Sequence, residues 1–450
     1  MSGQHENLSL PDGNGGWMQV TVQRPQDGAW TTVMGGGNAN PSVPFVPDTG
    51  PLRNIATDCG VLQNPWTPGG DGGATLTRHL LHANAATITV AFLARPNGRP
   101  GSGMQVGAET PLRAWVRPMG GTWSPLSFDG AWEVTLPETP ADEFAGAVDV
   151  HSDPLDGEWG RGTEIEVITW MQSSTSTYGC QGDLKSPHDV GRASTSAASA
   201  TSQPTSSYAA SGRGARPSAI IAESPQKSSW VMIGDSNSVN AHMSHGQQAM
   251  RARRLPYIVN GRHGESTKNV ATTRWDFQMG TQMQWCDSVY SMLLANDMGM
   301  ALADVQNNLL TFWQKCRDAG ATRVVQALCP PKGYVYPDGR VVDPPATLVS
   351  TNAWLRDGAP LINGSPAAVG ASGAVRATVV TDTLTVVRGS GSHPLGQGWV
   401  ADVVAPLEAV KGNGFWKPEY HSGGDLVHYY GKPHDVQAEL LNKQLALMGF

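Results

Sequence analysis

The stretch Ser229-Trp230-Val231-Met232-Ile233-Gly234-Asp235-Ser236-Asn237-Ser238 constrains this chain more than any other. A mostly apolar run that breaks directly into Gly-Asp-Ser reads as a buried strand ending in a tight turn, which lifts one hydroxyl out of the C-terminal edge of a sheet. Gly234 lets backbone pass close to that edge, and a helical stretch after it aims unpaired N–H groups at whatever oxyanion forms. A serine placed there can attack a carbonyl. Gly-Asp-Ser is also an ordinary surface turn, so the tripeptide needs partners elsewhere in the chain.

The far end supplies one. Gly424-Asp425-Leu426-Val427-His428 sets a carboxylate three residues before an imidazole, near enough for one loop to present both. A strand-ending Gly-Asp-Ser with Asp-x-x-His just before the last helix resembles the SGNH (GDSL) hydrolase family, and two intermediate blocks follow in order. Val259-Asn260-Gly261-Arg262-His263-Gly264-Glu265-Ser266-Thr267 is similar to the second block, whose glycine N–H lines the oxyanion hole. Leu293-Leu294-Ala295-Asn296-Asp297 is similar to the third, usually Gly-x-Asn-Asp, whose first Asn offers a side-chain N–H to the same hole. The resemblance covers residues 229 to 450. It departs from the family pattern in two places: Leu294 stands where glycine is usual, and the short Gly-Arg-His-Gly segment leaves Gly261 as an alternative to Gly264.

The chemistry that these residues imply is nucleophilic. A serine hydroxyl is weakly nucleophilic at neutral pH, so a base must take its proton during attack. His428 is the expected base and Asp425 the carboxylate that holds its tautomer. His421 and His434 flank the same loop as competing bases, and His421, His428 and Asp425 form an alternative metal set that matches no familiar ligand spacing. The oxyanion hole is expected from the N–H of Ser236, the N–H of Gly264 and the amide of Asn296, and Asp235 is expected to hold the turn. No Gly-x-Ser-x-Gly elbow, P-loop or dinucleotide fingerprint occurs, so neither a cofactor nor a metal is expected.

The front of the chain reads differently. Met18 to Val22, Ala86 to Phe92, Leu112 to Val116, Trp132 to Leu136 and Glu164 to Trp170 are short runs of β-formers, several of them alternating polar with apolar. Asp129-Gly130 and Pro96-Asn97-Gly98 supply turns, and the whole fits an antiparallel β-sandwich over residues 1–190. Some SGNH hydrolases carry an upstream β-domain with a pattern resembling Leu126 to Gly130, Val134 to Pro137 and Ser152-Asp153-Pro154. Residues 191–228 are dominated by Ser, Ala, Thr, Gly and Pro and read as a connecting strap, tethered or extended. Residues 229–450 alternate strand with helix. Ser229 to Ile233, Tyr257 to Asn260, Ser288 to Leu294 and Thr322 to Leu328 are expected strands. Leu302 to Ala319 and Pro433 to Met448 are expected helices, with helical character around Gln247 to Arg254 and Leu348 to Arg356. The expected fold is therefore an α/β chain: a three-layer α/β/α domain of flavodoxin-like SGNH type, preceded by an all-β sandwich. From Lys332 to about Val375 the chain reads as irregular.

Composition narrows the partners. With 450 residues, a formal net charge of −7 and no dense basic run, the chain is not a nucleic-acid binder, and no apolar run reaches membrane-spanning length. Met1 to Asn7 lacks the charged start and apolar core of a signal peptide. The five cysteines, Cys59, Cys180, Cys286, Cys316 and Cys329, show no zinc spacing. Cys316 and Cys329 are expected as buried thiols, and Cys59 with Cys180 as a conceivable bridge. Eight of the fifteen tryptophans lie in the front half, which tilts the expected substrate toward an acylated carbohydrate and away from a lipid ester. The expected activity is ester hydrolysis on a bacterial envelope, with the enzyme carried on a phage tail or virion and assembled there or as a homo-oligomer. A cytoplasmic enzyme, or a secreted one with its signal removed, is the plainer location. The alternative is a retired hydrolase scaffold that binds carbohydrate or builds the virion.

Overall fold

The computed structural model describes residues 5–11, 17–23, 45–57, 59–61, 69–94, 110–136, 148–173, 181–183, 191–194, 213–225, 228–239, 244–261, 264–272, 280–420, 426–429 and 431–450. Two compact units are present, Met1–Val46 and Pro47–Phe450. The first contains one antiparallel hairpin, His5–Pro11 against Trp17–Gln23.

The front part of the second unit is β-rich. One antiparallel sheet carries Val148–His151, Ala85–Ala94, Ala219–Glu223 and Leu52–Asn54 in that order, with Leu155–Trp159 also on Ala85–Ala94. A second carries Gly191–Ser194, Gly69–Leu80, Glu164–Ser173, Thr110–Pro118 and Ser124–Pro125, with Val134–Leu136 also on Thr110–Pro118. The strand period of two is visible in the burial. Leu112, Ala114, Val116, Ile165 and Val167 face the same buried cluster as Val90, Phe92 and Ile220 of the first sheet. The alternate residues Trp115, Ile168 and Trp170 gather with Ala74 and Leu76 on the opposite face.

The described part of the expected strap is extended and paired. Arg213–Ala215 pairs with Gln181–Asp183, and Ala219–Glu223 is an interior strand of the first sheet. Seven residues later the chain enters Trp230–Gly234.

The rest is mixed α/β. An eight-stranded sheet runs in the order Val386–Val387, Thr378–Val380, Trp399–Ala401, Arg323–Ala327, Ser288–Met292, Trp230–Gly234, Tyr257–Gly261 and Cys59–Val61. Every neighbouring pair is parallel except the first. Parallel strands need both faces covered, and accordingly every residue of Trp230–Gly234, Tyr257–Gly261 and Ser288–Met292 is buried. Leu302–Asp318 covers part of the sheet with Val305, Leu309, Phe312, Trp313 and Cys316, the face that its three-and-four spacing requires. His245–Ala252 begins at a Ser244 capping box, and Lys432–Leu447 closes the chain. Cys59–Val61 comes from the front of the chain, yet forms the edge strand here.

The helix expected around Leu348 to Arg356 is present within the otherwise irregular segment from Lys332 to about Val375, and two short strands follow beyond it. Ala346–Arg356 is a helix, and Thr378–Val380 and Trp399–Ala401 extend the main sheet. Arg356 ties them together, donating from Nε to Asp402 at 2.9 Å and from a terminal nitrogen to Glu408 at 2.6 Å, both carboxylates being buried. Cys286, Cys316 and Cys329 are buried free thiols. The side chain of Cys59 and all of Cys180 lie outside the described residues. Among the described residues no helix is long and apolar enough to cross a membrane.

Candidate active site

Register places the first three motif blocks side by side. Gly234 is level with Gly261 on one flank and with Met292 on the other, so three adjacent parallel strands end together. The chain leaves the three strands, after Gly234, Gly261 and Met292, from neighbouring points on the same edge, where parallel sheets gather their sites.

The turn after the first strand is tight. A Cβ on Gly234 would stand 2.6 Å from Ser238 Cβ and 3.1 Å from Met292 Cβ, so only glycine fits. Asp235 is buried and holds the turn as expected, accepting from Asn237 N–H at 2.9 Å, while its backbone carbonyl accepts from Ser238 Oγ at 2.6 Å. It does more than that. Its second carboxylate oxygen accepts from Ala295 N–H at 3.2 Å, fastening the third block to the first. Burial pushes the Asp235 carboxyl up, opposed by the Asn237 N–H, the charge of Lys332 and the Ala295 N–H.

The second and third blocks are fastened to each other as well. Asn296 Nδ2 donates to the Glu265 carbonyl at 2.8 Å, and since a primary amide carries two N–H bonds, one remains for another acceptor. Asp297 accepts from Thr267 N–H at 2.9 Å and from Thr267 Oγ1 at 2.8 Å, at the start of the Thr267–Ala271 helix. Burial raises the Asp297 carboxyl to about 6, against the pull of those Thr267 donors. Gly264 sits at φ 70° and Leu294 at φ 111°, both in the left-handed region. Glycine at Gly264 suits that backbone. Leu294, buried at the position where the resembled family has glycine, takes a conformation that costs a branched side chain on the order of 1–3 kcal/mol.

Ser236 opens the single helical turn Ser236–Val239, so its N–H has no acceptor within that turn. Its Oγ lies 2.8 Å from His428 Nε2. An imidazole nitrogen at that distance is within reach for direct proton transfer. His428 is half-buried on the loop before Lys432–Leu447. Its flanking residues Leu426 and Tyr429 pack with Tyr334, Leu407 and Trp416. Asp425, the expected partner of that histidine, lies outside the described residues, as do His421 and the Arg262-His263 pair.

His434 is not a competing base. It is buried in the closing helix, where Nδ1 accepts from His245 N–H at 3.2 Å and its ring stacks on Tyr429 at 4.3 Å. Burial lowers it to about 4. His245 beside it is likewise pushed well down by burial and by His434, and its Nε2 lies 2.8 Å from Tyr290 Oη. Two residues that sequence reasoning left without a role stand at the site. Asp297 is one, fastening the third block to the second. Lys332 is the other: buried beyond the C-terminal end of Arg323–Ala327, it donates from Nζ to the Val427 carbonyl at 3.2 Å. Among the described residues no cluster of three or more His, Cys, Asp or Glu side chains could hold a metal ion.

No protein-family model and no curated protein sequence matches the chain. Solved structures similar to it include a carbohydrate esterase of family 2 with a carbohydrate binding domain from Corynascus thermopiles (Myceliophthora fergusii), at 13% identity over 89% of this chain and 100% of that one, TM-score 0.33. A family two carbohydrate esterase from Cellvibrio japonicus is similar at 11% identity over 88% and 98%, TM-score 0.32. A carbohydrate esterase of family 3 from Talaromyces cellulolyticus is similar at 14% identity over 49% and 98%, TM-score 0.31. At identities and TM-scores this low, the function is read from the site's own geometry.

Proposed function

We propose that the chain is a serine esterase that hydrolyses O-acyl esters, with Ser236 as nucleophile, His428 as general base and Asp425 as the carboxylate that orients the imidazole. The observation that carries this reading is the 2.8 Å approach of His428 Nε2 to Ser236 Oγ, across 192 residues of chain, at the C-terminal edge of a parallel sheet. Ser236 Oγ attacks the ester carbonyl as His428 takes its proton. The imidazolium then protonates the leaving alkoxide, and water reverses the sequence to free the acid. The oxyanion would be met by the Ser236 N–H, the Gly264 N–H and the remaining N–H of Asn296, each such donor typically worth about 2.7–4 kcal/mol.

A flavodoxin-like SGNH fold is part of the same proposal. Taken in chain order, the strands Trp230–Gly234, Tyr257–Gly261, Ser288–Met292, Arg323–Ala327 and Trp399–Ala401 run 2-1-3-4-5 across the sheet, the doubly wound order of that class. Thr378–Val380 is then an insertion outside the fifth strand. An acetylated envelope carbohydrate remains the favoured substrate over a lipid ester, on the strength of exposed Trp132 and half-buried Trp123, since Trp115, Trp159 and Trp170 are buried in the core, and carriage on a virion rests on sequence alone.

The test is hydrolysis of nitrophenyl acetate and of longer nitrophenyl esters by the wild type and by Ser236→Ala. The variant should fold normally and lose on the order of 10⁴-fold or more in kcat, because serine and base act as a unit. Equal rates across the panel would leave a binding or structural role in place of catalysis.

A further inference from the structure

We infer that Lys332 is a positioning residue for the esterase site, its side chain holding the histidine loop in register with the nucleophile turn. The inference rests on the serine-esterase reading above. Lys332 is buried, a costly place for an ammonium group unless its donors and its charge are used. Both are. Nζ donates to the carbonyl of Val427, the residue immediately before His428. The same charge acts on buried Asp235, the residue immediately before Ser236, and opposes the burial that pushes its carboxyl up. One side chain thus bonds the neighbour of the base, while its charge acts at longer range on the neighbour of the nucleophile.

The stem is firmly mounted. Lys332 N–H and Gly333 N–H both donate to the Gly414 carbonyl, at 3.1 and 2.9 Å, and Trp416 N–H returns a bond to the Gly333 carbonyl at 2.8 Å. A Cβ on Gly333 would meet Pro344 at 2.7 Å, so the backbone beside the lysine has no room to shift. Upstream, Cys329 exchanges two hydrogen bonds with the side chain of Asn352, at 2.9 and 2.8 Å. The lysine therefore transmits the position of Arg323–Ala327 to the described residues 426–429, which carry no helix or strand. Residues around Asp235 that also carry titratable groups are Asp297, Cys329 and Tyr429, none of which supplies a positive charge.

The experiment compares wild type, Lys332→Met, Lys332→Gln and Lys332→Arg on nitrophenyl acetate, with Ser236→Ala as the control for the underlying reading. Lys332→Met should lower kcat by about 10- to 100-fold with KM changed by less than about threefold, since a reacting pair displaced by a fraction of an ångström loses rate more than binding. Lys332→Arg, keeping a cation and donors, should recover at least about tenfold of that loss. Lys332→Gln keeps a donor for Val427 without the charge, should fall between them, and serves if Lys332→Met does not fold. If Ser236→Ala is as active as wild type, the esterase reading itself fails. If Ser236→Ala is inactive while Lys332→Met and Lys332→Gln keep wild-type kcat, or lose it with no recovery in Lys332→Arg, the positioning role is wrong and the esterase reading stands.

Discussion

The two sides of the Ser236–His428 contact are built on different principles. On the nucleophile side, three adjacent strands end level, and the blocks that follow are cross-fastened by short bonds: Asp235 to Ala295, Asn296 to Glu265, Asp297 to Thr267. Each constraint sits within a few residues of the group that it positions. On the histidine side, the loop is held from far away in sequence, by Lys332 across 95 residues and by the aromatic cluster of Tyr334, Leu407, Trp416 and Tyr429. A site whose supports span 30 to 60 residues on one side and 95 on the other can fail on either side alone. The sharpest way to break the comparison is at the contact itself. His428→Ala should cost as much as Ser236→Ala, on the order of 10⁴-fold or more in kcat, with the fold intact by circular dichroism. A His428→Ala loss below about tenfold would mean that the two sides do not act together.

What was legible in the sequence follows the same division. Gly-Asp-Ser, Gly264 and Asn296 announced themselves as local patterns, and the structure brings Ser236, Gly264 and Asn296 to one sheet edge through strands read from apolar runs. Leu302 to Ala319 was legible because its burial pattern repeats every three or four residues, and it forms Leu302–Asp318. Lys332 carries no such mark: it lies in an irregular segment, and its importance exists only through a carbonyl 95 residues away. Cys59–Val61 and Thr378–Val380, three residues each, are too short to show a period, although they extend the sheet on opposite sides. Ala219–Glu223 was obscured for another reason. Its flanking Ser, Ala, Thr and Pro bias the window toward linker, while the five residues themselves are an ordinary buried strand. Asp235 was read as a turn-holder, and its bond to Ala295 could be seen only once the strands were aligned.

An ion cluster lies behind the histidine side, linked to its packing through Trp416, and gives a second way to probe it. Arg356 ends the Ala346–Arg356 helix and is shared by Asp402, just past Trp399–Ala401, and Glu408, which bridges to Trp416. Removing the guanidinium while keeping apolar bulk, as in Arg356→Met, leaves buried Glu408 without its cation and buried Asp402 with only Lys411 at 4.0 Å. That should destabilise the protein by about 3–5 kcal/mol. Asp402 retains the N–H bonds of Val404 and Ala405, and Glu408 that of Gly412, which favours the lower end. Urea unfolding reads the change directly. A loss below about 1 kcal/mol would place this cluster among surface-like pairs and take away its part in supporting the loop.

The smallest expected effect separates the two sides by pH. Burial raises Asp297, on the nucleophile side, to about 6 in the fold from the ordinary 3.8, so between those values the folded protein holds a proton that the unfolded chain has released. Stability from this group falls as pH rises through that window. His434, behind the histidine loop, titrates near 4 in the fold against 6.5, so over its own window the unfolded chain holds the extra proton and stability rises with pH. Asp235 is shifted in the same direction as Asp297, and His245 in the same direction as His434. Between about pH 4 and 6 the slopes from Asp297 and His434 oppose each other, although the groups belong to different supports. Asp297→Asn removes one of them while an amide oxygen can still accept from Thr267. The variant's stability should then rise with pH more steeply than the wild type's, by up to about 1.4 kcal/mol per unit, the limit set by a single proton. Urea unfolding at pH 4, 5, 6 and 7 measures the difference between the two curves. Parallel curves would show that Asp297 is ionised throughout the window, and that burial on the nucleophile side is offset by its hydrogen bonds as fully as if the carboxylate stood in water.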